Sequence, residues 1–126
     1  MNTSVADIVI ASQDAVIERN VDRYASFLAE DVVIDDPTMP QLVGRDAARK
    51  FVEGIVATCP EIAFADRKVF VSGRTAAMRF TLRFRTTSGK EALVEGVDVF
   101  EVNEAGLIQH LKSYYDPGPF AALMAG

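Results

Sequence analysis

Two stretches in the second half of the sequence alternate between apolar and polar residues, and this pattern constrains the fold most. From Ala76 to Phe84 the even positions are all apolar, and from Ala92 to Val102 they are apolar or glycine apart from Asp98. A period of two is typical of β-strands that bury one face. A Ser-Gly turn lies between the two stretches, so they are predicted to pair as an antiparallel hairpin.

The first half of the sequence has the apolar spacing of helices. Apolar residues recur at three- and four-residue intervals over residues 5–16, 21–28 and 48–55, which predicts three helices. Asn20 is suited to cap the second of them. The third follows Gly44 and is predicted to end before a proline at position 60.

Two further strands complete the predicted sheet. The run DVVIDDP alternates until Asp36, where the following proline ends the strand because it cannot donate to a β-ladder. The segment LIQHLKSYY is predicted to be the last strand. Helices followed by an antiparallel meander indicate an α+β fold, with three N-terminal helices packed on a curved, mainly antiparallel sheet.

Composition and charge argue against several classes of protein. The chain has 126 residues, 49% of them hydrophobic, which suits a single domain over 1–126. A net charge of -5 without a run of Lys or Arg argues against nucleic acid as a partner. Cys59 is the single cysteine, and the sequence contains no metal, nucleotide or other cofactor motif. Without a basic signal-peptide start or an apolar stretch of spanning length, we expect a cytoplasmic protein that uses no cofactor, metal or membrane.

Asp98 is the most informative residue, because it is the only charge on an otherwise apolar strand face. A buried carboxylate is costly unless it is paired, hydrogen-bonded or kept neutral by a raised pKa. A neutral carboxyl group can donate a hydrogen bond, which suits a catalytic site. The pattern equally allows a structural role, in which backbone N–H groups satisfy Asp98 or a bulge turns it outward.

Asp36 is the second candidate. It shares its side of the strand with Val32 and Ile34, so we expect it to face the same interior, while Asp35 faces the opposite way. The alternative is a turn aspartate that accepts backbone hydrogen bonds at the Asp-Pro corner. Two carboxyl groups in one apolar cavity can be driven apart in pKa, which would make one a base and the other an acid.

Several charged residues are expected on the outer face of the sheet. If Leu111 and Tyr115 face the pocket, alternation groups His110 with Ile108 and turns both away from it. A surface or dimer-face role is therefore favoured for His110. Opposite charges are expected to match across the hairpin between two sets of residues: Arg79, Arg83 and Arg85, and Glu91, Glu95 and Glu101.

Four segments carry a resemblance to a known family. FLAEDVVIDDP, AMRF, GVDVFEVNEAGLI and the closing YYDP resemble the ketosteroid isomerases of the nuclear transport factor 2-like superfamily, which includes the SnoaL-like proteins. The resemblance implies a conical α+β barrel and a homodimer formed through the outer sheet face. It identifies the individual reaction poorly, because this fold hosts isomerases, cyclases and non-catalytic binders.

The resemblance also implies roles for individual residues. The family's general base falls on Asp36, and Asp98 corresponds to the neutral aspartate that hydrogen-bonds the substrate oxyanion. The family tyrosine that assists it falls on Ser12, so a substitute would come from Tyr24, Tyr114, Tyr115 or Ser12 itself. The implied substrate-binding residues are Ser12, Phe51, Met78, Phe80, Leu111 and Tyr115.

Three functions follow as hypotheses. The first is a steroid delta-isomerase-like enzyme that moves a proton alpha to the carbonyl of an apolar ketosteroid or similar enone, with Asp36 as base and neutral Asp98 as oxyanion donor. The second is a SnoaL-like cyclase that uses the same base on a polyketide-like substrate. The third is a non-catalytic module for small-molecule binding or dimerisation.

Overall fold

Helices precede a run of long strands, as the residue spacing predicts. The computed structural model of the chain describes residues 4–125. In chain order the elements are α1 (Val5–Ile17), α2 (Val21–Ser26), β1 (Leu28–Asp35), β2 (Leu42–Val43), α3 (Arg45–Thr58), β3 (Glu61–Ser72), β4 (Thr75–Arg85), β5 (Glu91–Val102), β6 (Ile108–Tyr115) and α4 (Pro117–Met124).

The strands form one curved six-stranded sheet in the order β2-β1-β6-β5-β4-β3. Neighbouring strands are antiparallel except β1 and β6, which run parallel. Helices α1 and α3 pack on the sheet and α2 packs against both of them. The predicted α+β class and mainly antiparallel sheet are confirmed. No helix within residues 4–125 is both long and apolar enough to cross a membrane.

Local sequence sets the helix boundaries. The side chain of Asn20 accepts a hydrogen bond from the backbone N of Arg23 at 3.0 Å, which confirms the predicted cap of α2. Gly44 precedes α3 with φ of 100°, a conformation that glycine adopts without strain. Arg45 then donates from Nε and Nη2 to the carbonyl of Leu28, which ties the start of α3 to β1.

The predicted hairpin of β4 and β5 supplies most of the sheet's inner face. Met78 pairs with Asp98 and Phe80 pairs with Gly96, and the even positions of both strands face the helices. Phe100 and Met78 have no exposed surface. The apolar alternation therefore identified the buried face of this hairpin correctly.

One prediction about the last strand is wrong, and three elements were not predicted. Ile108 does not share the face of His110 but is 1% exposed, because the β5–β6 register shifts between Glu101 and Val102 and the bulge reverses the alternation. The unpredicted elements are β2, β3 and the C-terminal helix α4.

The expected charge pairing across the hairpin is mostly wrong as well. Only Arg83 contacts a glutamate of β5, Glu91, with 3.8 Å between Nε and Oε1. The other two arginines turn to β3 on their opposite flank, where Arg79 pairs with Asp66 and Arg85 pairs with Glu61. For Arg79 the register explains this, because it places Val97 and not a glutamate directly opposite. Arg85 has Glu91 opposite it on β5 and Glu61 opposite it on β3, and it contacts Glu61.

Candidate active site

A cavity of about 110 Å³ lies between the inner face of the sheet and the helices. Its walls are mostly apolar and include four of the six residues expected to bind substrate: Phe51, Phe80, Leu111 and Tyr115. The polar residues in the walls are Gln13, Tyr24, Asp36, Asp98, Ser113 and Tyr115. The structure thus brings both aspartates to one cavity.

Asp36 follows β1 and is held by three hydrogen bonds to a single oxygen. Its Oδ1 accepts from the backbone N of Thr38 at 2.9 Å, from Oγ1 of Thr38 at 2.6 Å and from the hydroxyl of Tyr115 at 2.7 Å. The Thr38 contacts make Asp36 a turn aspartate as well as a cavity residue. Within residues 4–125 no donor hydrogen-bonds Oδ2, so the carboxylate is oriented while one oxygen stays free to take a proton.

Asp98 lies within β5 and is 7% exposed. Its Oδ1 is buried and has no hydrogen-bond partner among the described residues. Burial raises the pKa of Asp98 to about 7; the Ser113 hydroxyl across the strand pair offsets part of the rise, and the charge of Asp36 adds to it. At neutral pH this carboxyl group is therefore a mixture of protonated and ionised forms.

Two tyrosines place their hydroxyls near the carboxyl groups. Burial and then the negative charge of Asp98 raise the pKa of Tyr24, whose side chain comes from α2. Burial and the hydrogen bond to Asp36 raise the pKa of Tyr115. Both phenols therefore stay protonated and act as donors. Tyr114, another residue considered as the substitute donor, is 56% exposed and lies outside the cavity walls.

Gly96 allows Tyr115 to approach the cavity. It pairs with Tyr115 on one side and with Phe80 on the other. A Cβ atom at this position would lie 2.3 Å from the backbone oxygen of Tyr114 and 2.8 Å from the Cβ of Tyr115. Only glycine permits this spacing, so Gly96 sets the position of the Tyr115 side chain.

The C-terminal helix α4 covers one end of the cavity. Asp116 caps the helix by accepting a hydrogen bond from the backbone N of Gly118. Phe120 is 6% exposed, lines the cavity and packs against Phe84 and Tyr115, with ring centroids 5.1 and 6.4 Å apart. Phe120 thus forms an apolar wall beside the Tyr115 side chain that orients Asp36.

Two residues that were expected to bind substrate do not line the cavity. Ser12 is fully buried and its hydroxyl donates to the carbonyl of Val9 at 2.7 Å, so it points along α1. Met78 is fully buried in the core and is absent from the cavity walls. Gln13, next to Ser12, lines the cavity in its place.

Some cavity residues escaped the sequence analysis although the sequence contains a signal for them. Gln13 lies four residues after Val9 and four before Ile17, which places it on the inward side of α1. Ser113 alternates with Leu111 and Tyr115 on β6. The sequence contains no such signal for Phe120, because the Pro-Gly-Pro segment before it is typical of a turn at the end of a strand.

His110 lies outside the cavity, as alternation predicts. Its Nε2 is 2.7 Å from Oδ2 of Asp35, and its Nδ1 is 3.7 Å from Oε2 of Glu101. The hydrogen bond from His110 lowers the pKa of Asp35. In the part of the chain that the structure describes, no group of three or more His, Cys, Asp or Glu side chains is arranged to hold a metal ion.

Solved structures of several proteins share this fold. A candidate polyketide cyclase from Xanthomonas campestris pv. campestris is 21% identical, with a TM-score of 0.85 over 95% of this chain and 96% of that one. A candidate polyketide cyclase from Pseudomonas putida KT2440 is 20% identical, with a TM-score of 0.86 over 97% and 98%. TerC, co-crystallised with polyporic acid, is 16% identical, with a TM-score of 0.82 over 97% and 98%.

The sequence comparison assigns the family. No curated protein matches the chain. The SnoaL-like domain family matches residues 9–111, a region that runs from α1 to β6 and includes Asp36 and Asp98. The chain therefore belongs to the SnoaL-like domain family and has the NTF2-like fold.

Proposed function

We propose that this protein is a SnoaL-like enzyme that removes a proton alpha to a carbonyl group of a small polyketide-like substrate. The observation that carries the proposal is the buried, unpartnered Oδ1 of Asp98 in a cavity that Asp36 also lines. A buried polar atom without a partner is costly in a folded protein, and a substrate oxygen at this position would satisfy it.

The proposed mechanism gives the two carboxyl groups different roles. Asp36 takes the alpha proton on its free Oδ2, while Tyr115 and Thr38 hold the other oxygen in place. The electron pair of the broken C–H bond forms an enolate, whose oxygen accepts a hydrogen bond from protonated Asp98. The phenol of Tyr24 is placed to assist. The enolate carbon then attacks a second carbonyl group of the substrate to close a ring, and the alkoxide formed there takes the proton from Asp36. In the isomerase alternative, the conjugated enolate of an enone takes the proton back from Asp36 at another carbon.

Cavity size favours a small cyclic substrate over a steroid. About 110 Å³ is comparable to the roughly 150 Å³ cavity that binds one benzene ring in an engineered protein core. One ring fills this volume, whereas four fused rings would have to extend out of it. In addition, Ser12 at the family's tyrosine position points away from the cavity. The candidate polyketide cyclases among the proteins of this fold agree with the cyclase proposal.

Deuterium exchange tests the proposed chemistry directly. Incorporation of deuterium from D₂O at the alpha carbons of cyclohexanone is followed by NMR at pH 6. We expect the wild-type protein to accelerate exchange above buffer, and Asp36→Asn to lower that rate about 10²- to 10⁴-fold by removing the base. A wild-type rate no higher than that of buffer would favour a non-catalytic binding module.

Two substitutions of Asp98 separate its possible roles. Asp98→Leu removes the donor and should lower the exchange rate about 10²- to 10³-fold. Asp98→Asn keeps an N–H donor at the same place, so its rate should lie well above that of the leucine variant. If Asp98 were the base, both variants would be equally inactive, and the wild-type rate would rise and not fall as the pH passes 7.

A further inference from the structure

Gln13 is a polar side chain in the helix wall of the cavity that the proposed mechanism does not use. It is 8% exposed and comes from α1, which packs over β3 and β4. The two carboxyl groups stand on the other side, on β5 and directly after β1. The cavity thus has a polar group on its helix wall as well as the two carboxyl groups on its sheet wall.

Local hydrogen bonds fix the orientation of the Gln13 amide. The single hydroxyl hydrogen of Ser12 is donated to the carbonyl of Val9 at 2.7 Å, so Oγ of Ser12 can only accept from its other neighbours. Nε2 of Gln13 lies 3.4 Å from that oxygen and donates to it. The nitrogen end of the amide therefore points to Ser12, and the Oε1 end takes no part in this contact.

The remaining hydrogen-bonding capacity of Gln13 has no partner within residues 4–125. No donor there hydrogen-bonds Oε1, and Nε2 has one hydrogen beyond the one given to Ser12. An amide in an apolar cavity costs free energy unless such groups are paired. A hydroxyl group both donates and accepts, so a single hydroxyl of a ligand can pair with the free oxygen and with the free N–H.

We propose that Gln13 selects substrates that carry a hydroxyl group remote from the reacting carbonyl. The inference rests on the proposed function, because it assumes that the reacting end of the substrate lies at Asp36 and Asp98. It narrows the substrate class to a hydroxylated cyclic or polyketide-like ketone. Ser12 acts as a positioning residue that holds the amide in the selective orientation.

Two isosteric phenols test this selectivity without requiring turnover. Isothermal titration calorimetry measures the dissociation constants of 4-ethylphenol and 4-(hydroxymethyl)phenol, which differ by a methyl group in place of a hydroxyl. The ratio of the two constants should change at least about fivefold against the hydroxylated ligand in Gln13→Leu, since the ligand hydroxyl loses its hydrogen bonds to the amide and one neutral hydrogen bond alone is worth about that factor. Ser12→Ala should change the ratio in the same direction by a smaller factor.

A matched control removes cavity surface from the same helix without removing a polar group. Val16 lines the cavity one turn from Gln13, and Val16→Ala should weaken both phenols by the same factor. The same measurements with 4-propylphenol and 4-(2-hydroxyethyl)phenol place the methyl or hydroxyl group one carbon farther from the ring. An unchanged ratio in Gln13→Leu for both pairs, or no binding of any of the four phenols to the wild type, would overturn the inference.

The two proposals fail in different ways. Deuterium exchange that depends on Asp36, together with an unchanged phenol ratio in Gln13→Leu, would remove only the role of Gln13. A changed ratio with no wild-type exchange would instead leave a selective binding site and remove the proposed reaction.

Discussion

At the scale of single residues, Asp98 is a carboxyl group at a buried position, where a charge makes folding less favourable. Asp98 is buried without a partner for Oδ1, and its carboxyl group has a pKa of about 7 against 3.8 in an unfolded chain. The folded state therefore binds this proton more tightly than the unfolded state does. Stability from this group is complete below about pH 4 and is lost as the pH rises to 7.

This linkage predicts how stability depends on pH. The difference between the two pKa values corresponds to roughly 4 kcal/mol in the free energy of unfolding. Between pH 4 and pH 8, the wild-type protein should therefore lose roughly 4 kcal/mol more stability than Asp98→Asn loses. Urea unfolding of both proteins at the two pH values measures the difference, because all other titrating groups are shared. Equal pH dependence in the two proteins would show that Asp98 is not perturbed by burial.

The sequence was informative about residues wherever a strand gave a strict alternation. Asp98 and Asp36 could both be placed on the inner face from period two alone. On a helix, by contrast, one residue changes the direction of the side chain by about 100°, so a shift of one position separates Ser12 from Gln13. The family resemblance implied Met78 as a cavity residue, whereas the structure buries it in the filled core behind the wall.

At the scale of elements, the close approach of β5 and β6 positions the site. Gly96 faces Tyr115 across this strand pair, and the Tyr115 hydroxyl orients Asp36. A methyl group at Gly96 would first meet the backbone oxygen of Tyr114 and the Cβ atom of Tyr115, neither of which can move without the strand. The strands would have to separate to accept it.

Substitution of Gly96 by alanine tests this dependence. We expect Gly96→Ala to lower the free energy of unfolding by about 1–3 kcal/mol through overpacking, and to weaken the contact of Tyr115 with Asp36. Gly54 is the matched control, since it lies exposed in α3 with no atom within 4 Å of an added Cβ. Gly54→Ala should be stabilising by up to about 1 kcal/mol in urea unfolding. A Gly96→Ala variant as stable as the wild type would contradict the close approach.

Elements were predictable where one periodicity persisted. The spacing of α1, α2 and α3 and the alternation of β4 and β5 each lasted long enough to identify the element. In β3 a register shift between Phe64 and Asp66 interrupts the alternation, and many of its side chains are exposed, so no apolar face is visible in the sequence. Helix α4 begins with Pro-Gly-Pro, residues that are typical of a turn.

At the scale of the whole molecule, the outer face of the sheet carries exposed apolar residues. Leu93 is 58% exposed, Val97 37% and Tyr114 56%, and Val97 pairs directly with Tyr114. Arginines and glutamates surround them, including Arg83 and Glu91. A face with both charges and an apolar centre can pair with a copy of itself about a twofold axis.

We predict that this face forms the homodimer that the family resemblance implies. A charge at its centre, introduced by Val97→Glu, should shift the protein from dimer to monomer in sedimentation velocity at micromolar concentration. Val71→Glu is the control, because Val71 is also exposed but pairs with the buried Ala76 and so lies on the other side of the sheet. A wild-type protein that sediments only as a monomer would contradict the prediction.

The most direct test of the central claim is the titration of Asp98 itself. Carbon-13 NMR of the labelled aspartate carboxyl groups, assigned with Asp98→Asn, reports the midpoint. We predict a midpoint near pH 7 that moves to lower pH in Asp36→Asn, because the charge of Asp36 contributes to the rise. A midpoint near pH 4, the value of an aspartate in water, would contradict the claim that the two carboxyl groups share one dry cavity. A midpoint that is unaffected by Asp36→Asn would contradict the same claim.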